Sequence, residues 1–376
     1  MRAVIVFASV LSFLALILLA LTLHLTLESS PAEPALKLNS TCKFENVTGL
    51  CKSKDSCIGY PATTKLDPCN EGDLSLLCCP NHETAVSNRP KRTPGLKAKE
   101  MCRRYAKTAI KLVESPILIR GVQYINTTDC VVGEKLIKGG KNATEREFPH
   151  MVYIAKFIVD SNGLLEVCGG SIVSPKFVLS AAHCNVTKDD GYVIFGTIRN
   201  LRVVDDYFQN HSSSISEIYT HPRYNASNNN NDIALYKLEI TLSESERPIC
   251  LDTGISLFNK MLIATGFGTN EEQKPSEVLQ KVSLNIVDPG SCAAKYKRHI
   301  KDLPEHYGCT YAEGKDACYG DSGGPIQVSH GEHQCMYTLI GVISFGNNCS
   351  YNTNIPGVYT KVSNYIEWIE DIVWPA

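Results

Sequence analysis

The chain has 376 residues, and its 37 Lys+Arg against 39 Asp+Glu leave a formal charge of −2. That length suits one large domain or two to three smaller ones, and the near-neutral balance excludes a generally basic nucleic-acid binder and a polyanionic disordered chain. Sixteen cysteines without a single Cys-x-x-Cys spacing argue against zinc ribbons and thioredoxin-like motifs, and for about eight disulfides made in an oxidising compartment.

Residues 1–28 read as a secretory signal: Arg2, then an apolar run from Ala3 to Leu27 broken only by Ser, Thr and His24, then Glu28-Ser29-Ser30-Pro31. About 20 apolar residues suffice to span a bilayer, so a retained signal anchor is the alternative. Asn-x-Ser/Thr sequons at Asn39, Asn46, Asn126, Asn142, Asn185, Asn210 and Asn225 fit a secreted glycoprotein, and an eighth, Asn348, sits beside Cys349.

Six cysteines (Cys42, Cys51, Cys57, Cys69, Cys78, Cys79) crowd residues 42–79. So short a segment needs disulfides in place of a core. Residues 80–136 form a linker that opens on Asn88-Arg89-Pro90-Lys91-Arg92-Thr93-Pro94-Gly95. A helix is expected over Lys97–Glu114, with Met101, Tyr105, Ala109 and Leu112 on one face. From Ile137 onward short apolar strands are expected at Met151–Val159, Ser171–Ser180, Tyr192–Phe195, Met261–Thr265, Leu339–Phe345 and Val358–Val362. Gly and Asn separate them, as in an all-β barrel or sandwich. The three- and four-residue apolar spacing from Val362 to Val373 predicts a C-terminal amphipathic helix. The Asn228–Asn231 tract reads as a flexible loop, and His330 and His333 as exposed loop histidines without a third metal ligand.

Three segments of the last region carry chemistry together: Ser180-Ala181-Ala182-His183-Cys184, Asn231-Asp232-Ile233-Ala234-Leu235 and Gly320-Asp321-Ser322-Gly323-Gly324-Pro325. Acyl transfer needs a nucleophile, a base near neutral pKa and a carboxylate that fixes the base's tautomer. Ser322, His183 and Asp232 supply them. Gly320 and Ser322 offer backbone N–H groups for an oxyanion hole, and Gly323 and Gly324 allow close substrate approach.

On these motifs the region 137–376 resembles the trypsin/chymotrypsin family of serine proteases. The resemblance implies an all-β fold of two packed six-stranded barrels with a C-terminal helix. It assigns base, orienting carboxylate and nucleophile to His183, Asp232 and Ser322, and the oxyanion N–H groups to Gly320 and Ser322. Asp316 would lie at the base of the specificity pocket, directing cleavage after Arg or Lys. Gly346 and Gly357 would keep the pocket walls open, and Ser344-Phe345-Gly346 would pair with the substrate backbone.

Residues 42–79 resemble the disulfide-knotted clip domain of arthropod haemolymph proteases, the alternative being a generic disulfide knot. That resemblance implies Cys42–Cys78, Cys51–Cys69 and Cys57–Cys79. The protease family implies Cys168–Cys184, Cys292–Cys309 and Cys318–Cys349. Clip proteases tie the linker to the catalytic domain, which fits Cys130–Cys250 and leaves Cys102–Cys335.

Family zymogens are activated by freeing an Ile or Val amine that pairs with the Asp before the nucleophile, here Asp321. Aligning Gly139-Gly140 places the cut between Leu136 and Ile137, as in the snake-like subgroup. A pocket built on Asp316 would cut poorly after Leu136, so an upstream protease of different specificity is expected, together with a downstream zymogen substrate and a serpin inhibitor. No metal or other cofactor is expected. Calcium is common in the family, but no convincing acidic cluster for it occurs here. Alternatives are a catalytically silent homologue acting as a cofactor, or a membrane-anchored protease.

Overall fold

The computed structural model describes residues 40–44, 47–53, 68–70, 73–80, 93–114, 124–128, 130, 140–161, 163–258, 260–268, 274–297, 303–311, 321–346 and 355–375. The leader, Asn39, Asn46, Cys57, Leu136, Ile137, Asp316, Cys318, Gly320, Asn348 and Cys349 lie outside them. The chain divides into two compact units, residues 1–91 and 92–376.

The first unit is a four-stranded antiparallel sheet in the order β1 (Thr41–Phe44), β2 (Val47–Ser53), β4 (Asp73–Pro80), β3 (Pro68–Asn70). Its interior is sulfur: Cys42, Cys51 and Cys78 are buried against one another, and Cys42–Cys78 and Cys51–Cys69 are bonded as expected. Cys79 is also disulfide-bonded, its expected partner lying outside the described residues. Cross-links here replace the apolar core that a segment of this size cannot build.

The second unit begins with α1 (Leu96–Lys107), entered through Gly95 at φ 89°. The expected helix to Glu114 stops short. Thr108 Oγ1 donates to the Tyr105 carbonyl, and the β-branched Ile110 and Val113 join a hairpin of β5 (Ile110–Glu114) and β6 (Tyr124–Thr128). The buried face of α1 carries Ala98, Cys102, Tyr105 and Ala106. β7 (Lys141–Asn142) follows as a short strap.

β8 (Met151–Ile158), β9 (Gly163–Ser174), β10 (Phe177–Ser180), β11 (Gly191–Ile194), β12 (Ser212–Thr220) and β13 (Ala234–Leu238) close a six-stranded barrel in the order β10-β13-β12-β11-β8-β9. The expected strand Ser171–Ser180 is thus a tight hairpin, broken at Pro175 where a ladder N–H is missing. β8 is buried on both faces: Val152 and Ile154 point into the barrel core, Met151, Tyr153 and Ala155 into a second cluster with Phe148, Phe267 and Leu279.

After β14 (Cys250–Leu251), a second barrel is made by β15 (Leu262–Gly266), β16 (Gln280–Val287), β17 (Tyr307–Tyr311), β18 (Pro325–Ser329), β19 (Tyr337–Phe345) and β20 (Gly357–Lys361). The β19–β20 pairing closes it, around Leu262, Leu284, Ile326, Ile340 and Tyr359. A one-turn helical segment leads into the expected C-terminal helix, Ile366–Val373, whose Ile366, Ile369 and Val373 join the first barrel's core. Its buried Glu370 accepts the backbone N–H of Ala98 at 2.7 Å, a side-chain carboxylate satisfying an orphan donor at the start of α1.

Two expected pairings are corrected. Cys102 bonds Cys250, and Cys130 bonds Cys335, in place of Cys130–Cys250 and Cys102–Cys335. The reason is the docking of α1: Cys102 shares its buried face with Tyr105 and Ala106, and this face packs on Cys250 and Met336. Both bonds still run from the linker to the barrels. Cys168–Cys184 and Cys292–Cys309 are present as expected.

Candidate active site

β10 and β13 are antiparallel neighbours with Ser180 opposite Ala234. The chain leaves β10 through Ala181-Ala182-His183, and enters β13 through Asp232-Ile233. The register therefore brings histidine and aspartate to the same end of the barrel. His183 Nδ1 lies 2.7 Å from Asp232 Oδ2, and the His183 backbone N–H donates to Oδ1 at 2.9 Å. Asp232 is fully buried, while His183 is partly open to solvent.

Asp232 takes a third hydrogen bond from the Ser344 hydroxyl, and Thr360 Oγ1 donates to its backbone carbonyl at 2.9 Å. Ser344, expected to belong to a segment that pairs with substrate, is thus a direct partner of the Asp232 carboxylate. A carboxylate only accepts, so Nδ1 of His183 carries a proton, and in the neutral form of the ring that tautomer leaves the lone pair on Nε2.

Ser322 sits on a turn in which Gly324 N donates to the Asp321 carbonyl at 2.9 Å. The turn is stitched on both sides: Gly169 N to Ser322 O at 2.7 Å, and Gly323 N to Ile343 O at 2.8 Å. Gly169 follows Cys168, which is bonded to Cys184, the residue after His183. The serine and histidine segments are thereby fastened to the same stretch of β9. No hydrogen bond joins Ser322 to His183 among the described residues.

Gly323 has φ +78°, and a Cβ built there would come within 2.1 Å of Ser180 Oγ and 2.6 Å of Gly169 O. Packing behind the Ser322 turn therefore demands glycine here. Gly346 and Gly357 face each other across the proposed pocket wall, a Cβ at Gly346 falling 3.5 Å from the Gly357 Cα.

Asp321 accepts the backbone N–H of Gly268 at 2.9 Å. Near it stands Glu166, a residue that no motif singles out. Asn200 Nδ2 donates to Glu166 Oε2 at 2.7 Å, but Oε1 is shut off from solvent without a partner. Burial is the main cause that pushes this carboxyl up to about 8; the Asn200 hydrogen bond opposes it, and the negative charge of Asp321 adds to it.

The segment downstream of the proposed cut is anchored by charge. β7 pairs with β16, placing Lys141 opposite Lys281. Lys281 Nζ bonds Glu147 Oε1 at 2.6 Å, with both side chains nearly inaccessible.

His330 and His333 stack with centroids 4.7 Å apart, and His330 Nδ1 accepts the N–H groups of Glu332 and His333. Among the described residues, every grouping of His and Cys close enough to share a metal contains cysteines already joined in disulfides, so their sulfurs are not thiolate ligands.

The Trypsin family profile matches residues 137–369, and the chain belongs to the trypsin family: it is a trypsin-like serine endopeptidase. Similarity extends beyond the catalytic region. The chain is 32% identical over 326 residues to Serine protease snk of Drosophila melanogaster, covering 83% of this chain and 72% of that protein. It is 28% identical over 250 residues to CLIP domain-containing serine protease B15 of Anopheles gambiae, covering 61% and 68% respectively. With Phenoloxidase-activating factor 3 of Holotrichia diomphalia the identity is 29% over 266 residues, covering 65% and 75%. Within its family, the chain is a clip-domain protease of the arthropod type.

Proposed function

We propose that this chain is a secreted zymogen of a proteolytic cascade, cut between Leu136 and Ile137 and then cleaving a downstream zymogen after Arg or Lys. The buried Asp232 locked onto His183, with the Ser322 turn stitched beside them, carries this reading. His183 Nε2 takes the Ser322 hydroxyl proton as Oγ bonds the scissile carbonyl carbon. The resulting oxyanion accepts the N–H groups of Gly320 and Ser322, and the imidazolium is stabilised by Asp232. The proton then passes to the leaving amine. Water repeats the sequence on the acyl-enzyme and restores Ser322.

Asp316 supplies the charge that selects Arg or Lys, between walls opened by Gly346 and Gly357. The freed Ile137 ammonium pairs with Asp321. Because a Leu136 bond would leave Asp316 unpaired, an upstream protease performs the cut, and a serpin would be the matching inhibitor. The names of the relatives above, one of them a phenoloxidase-activating factor, support a place among cascade proteases. The exposed Asn185, Asn210 and Asn225 are glycan sites in this reading.

The test is to open the purified zymogen with a protease that cuts after leucine, then profile peptides varied at the residue before the cut. The expected result is activity on Arg and Lys peptides, accompanied by an Ile137 N-terminus and abolished by Ser322→Ala. Preference for Leu or Phe would remove the role given to Asp316, and an inactive chain with an intact Ile137 terminus would favour the silent homologue.

A further inference from the structure

Asp232 is delivered by a run of asparagines that is a pinned turn rather than a loose loop. Asn229 and Asn231 hold φ of 55° and 56°, the left-handed region that asparagine tolerates better than most residues. Asn225 N donates to Asn230 O at 3.0 Å, and Asn231 Nδ2 to Arg223 O at 2.8 Å. Two tyrosines reach in from the second barrel and the segment after it. The Tyr365 hydroxyl donates to Asn231 Oδ1 at 3.1 Å, and that of Tyr307 to the Asn229 carbonyl.

Tyr307 is the more informative of the two because it touches both supports of the acid. Its ring stands edge-on to Phe345, with centroids 5.5 Å apart at 78°. Phe345 follows Ser344, whose hydroxyl bonds Asp232. One side chain thus spans the turn that precedes the acid and the strand that braces it. Tyr307 is buried, and a buried hydroxyl needs an acceptor. The Asn229 carbonyl provides one.

Resting on the reading of His183 and Asp232 as base and orienting acid, we propose that Tyr307 is a positioning residue for catalysis. By tying the Asn229 carbonyl to the Phe345 strand, it holds Asp232 on His183 and couples that geometry to the strand along which substrate is to pair. Burial and the nearby charge of Asp232, with Tyr365 and Tyr224, push the Tyr307 hydroxyl upward, so it remains a donor throughout the working range of pH. The other groups at this face are His306, whose ring lies 4.6 Å from that of Tyr307, and Arg223 and Lys361, both acting on His306.

The test compares wild type, Tyr307→Phe and Ser322→Ala as full-length chains opened after Leu136, with the active sites of the wild type and Tyr307→Phe counted by burst titration so that only folded enzyme contributes. Tyr307→Phe keeps the ring and removes the tie. The expected result is a fall in kcat of about tenfold with KM within about twofold. The acid limb of the kcat/KM profile should move to lower pH, because a less firmly held Asp232 stabilises the His183 imidazolium less. The low-field proton resonance of His183 Nδ1–H should broaden. An acid limb and resonance identical to wild type overturn the proposal, as does a change confined to KM, which would make Tyr307 a subsite wall. If Ser322→Ala retains activity, the reading of the whole site fails instead.

Discussion

Lys281 is a side chain whose removal should be costly, because it belongs to a buried ion pair. Its ammonium bonds Glu147 at 2.6 Å, and the two side chains retain 3% and 4% of their accessible surface. Glu147 also accepts the backbone N–H and hydroxyl of Thr144 on its other oxygen, at 3.0 and 3.2 Å. Lys281→Met keeps the length of the stem but leaves a carboxylate buried without its counter-charge. Breaking one partner of such a pair costs about 3–5 kcal/mol, against near neutrality when both are replaced by apolar groups. For a catalytic unit of this size that corresponds to a drop in Tm of roughly 6–20 °C.

The double variant Lys281→Met/Glu147→Leu loses the stranded charge and should recover most of the deficit. A residue of about 1 kcal/mol remains, from the Thr144 hydrogen bonds that the double variant no longer makes. Denaturant melts of the intact zymogen measure both. A single variant within about 1 kcal/mol of wild type, or a double variant no better than the single, would refute the reasoning. Because this pair fastens the chain just after the proposed cut, the single variant should also be nicked faster around residues 140–148 in limited proteolysis.

Ser344→Ala removes one of three donors to the Asp232 carboxylate. Hydrogen bonds to charged groups contribute about 1.5–3 kcal/mol, so kcat/KM of the opened enzyme should fall roughly tenfold to a hundredfold, measured on an Arg peptide. Gly323→Ala forces a Cβ to 2.1 Å from Ser180 Oγ at a φ of +78°, and should destabilise by about 2–4 kcal/mol in denaturant melts while distorting the nucleophile turn. Glu166 provides a pH signature. Its folded-state value of about 8 stands above the ordinary 4.5, so the folded chain binds this proton more tightly than the unfolded one. Its contribution is full below about pH 4.5 and is lost as pH rises through 8. Glu166→Gln should therefore gain stability relative to wild type across that window in melts from pH 4.5 to 9.

The His183–Asp232 contact was legible in the sequence because its residues lie in short, chemically distinctive strings: a histidine beside a cysteine and an aspartate before an apolar strand. What escaped depended on neighbours distant in sequence. For β8, expected as a strand at Met151–Val159, it was the facing that escaped: the run shows no alternation because both faces are buried, one in each of two clusters. β12 is not among the expected strands, since Ser212-Ser213-Ser214 opens it with no apolar run, although Ser213 and Ile215 are buried in the sheet. The linker cystines cannot be paired from spacing, since the choice between Cys250 and Cys335 for Cys102 was made by the buried face of α1. Tyr307 and Glu166 carry no motif, and their significance comes from the carbonyl and the carboxylate that folding places beside them.

Cys102–Cys250 and Cys130–Cys335 both straddle position 136. Hydrolysis at Leu136 would therefore add one water and release nothing. Mass, sedimentation and stoichiometry would barely register the event, which would show only as two bands after reduction. The amino-terminal module would stay on a covalent leash, at an effective concentration that dilution cannot lower. Whatever surface that module recognises would hold the mature enzyme where its precursor was held, and an inhibitor trapping the barrels would remove both parts together.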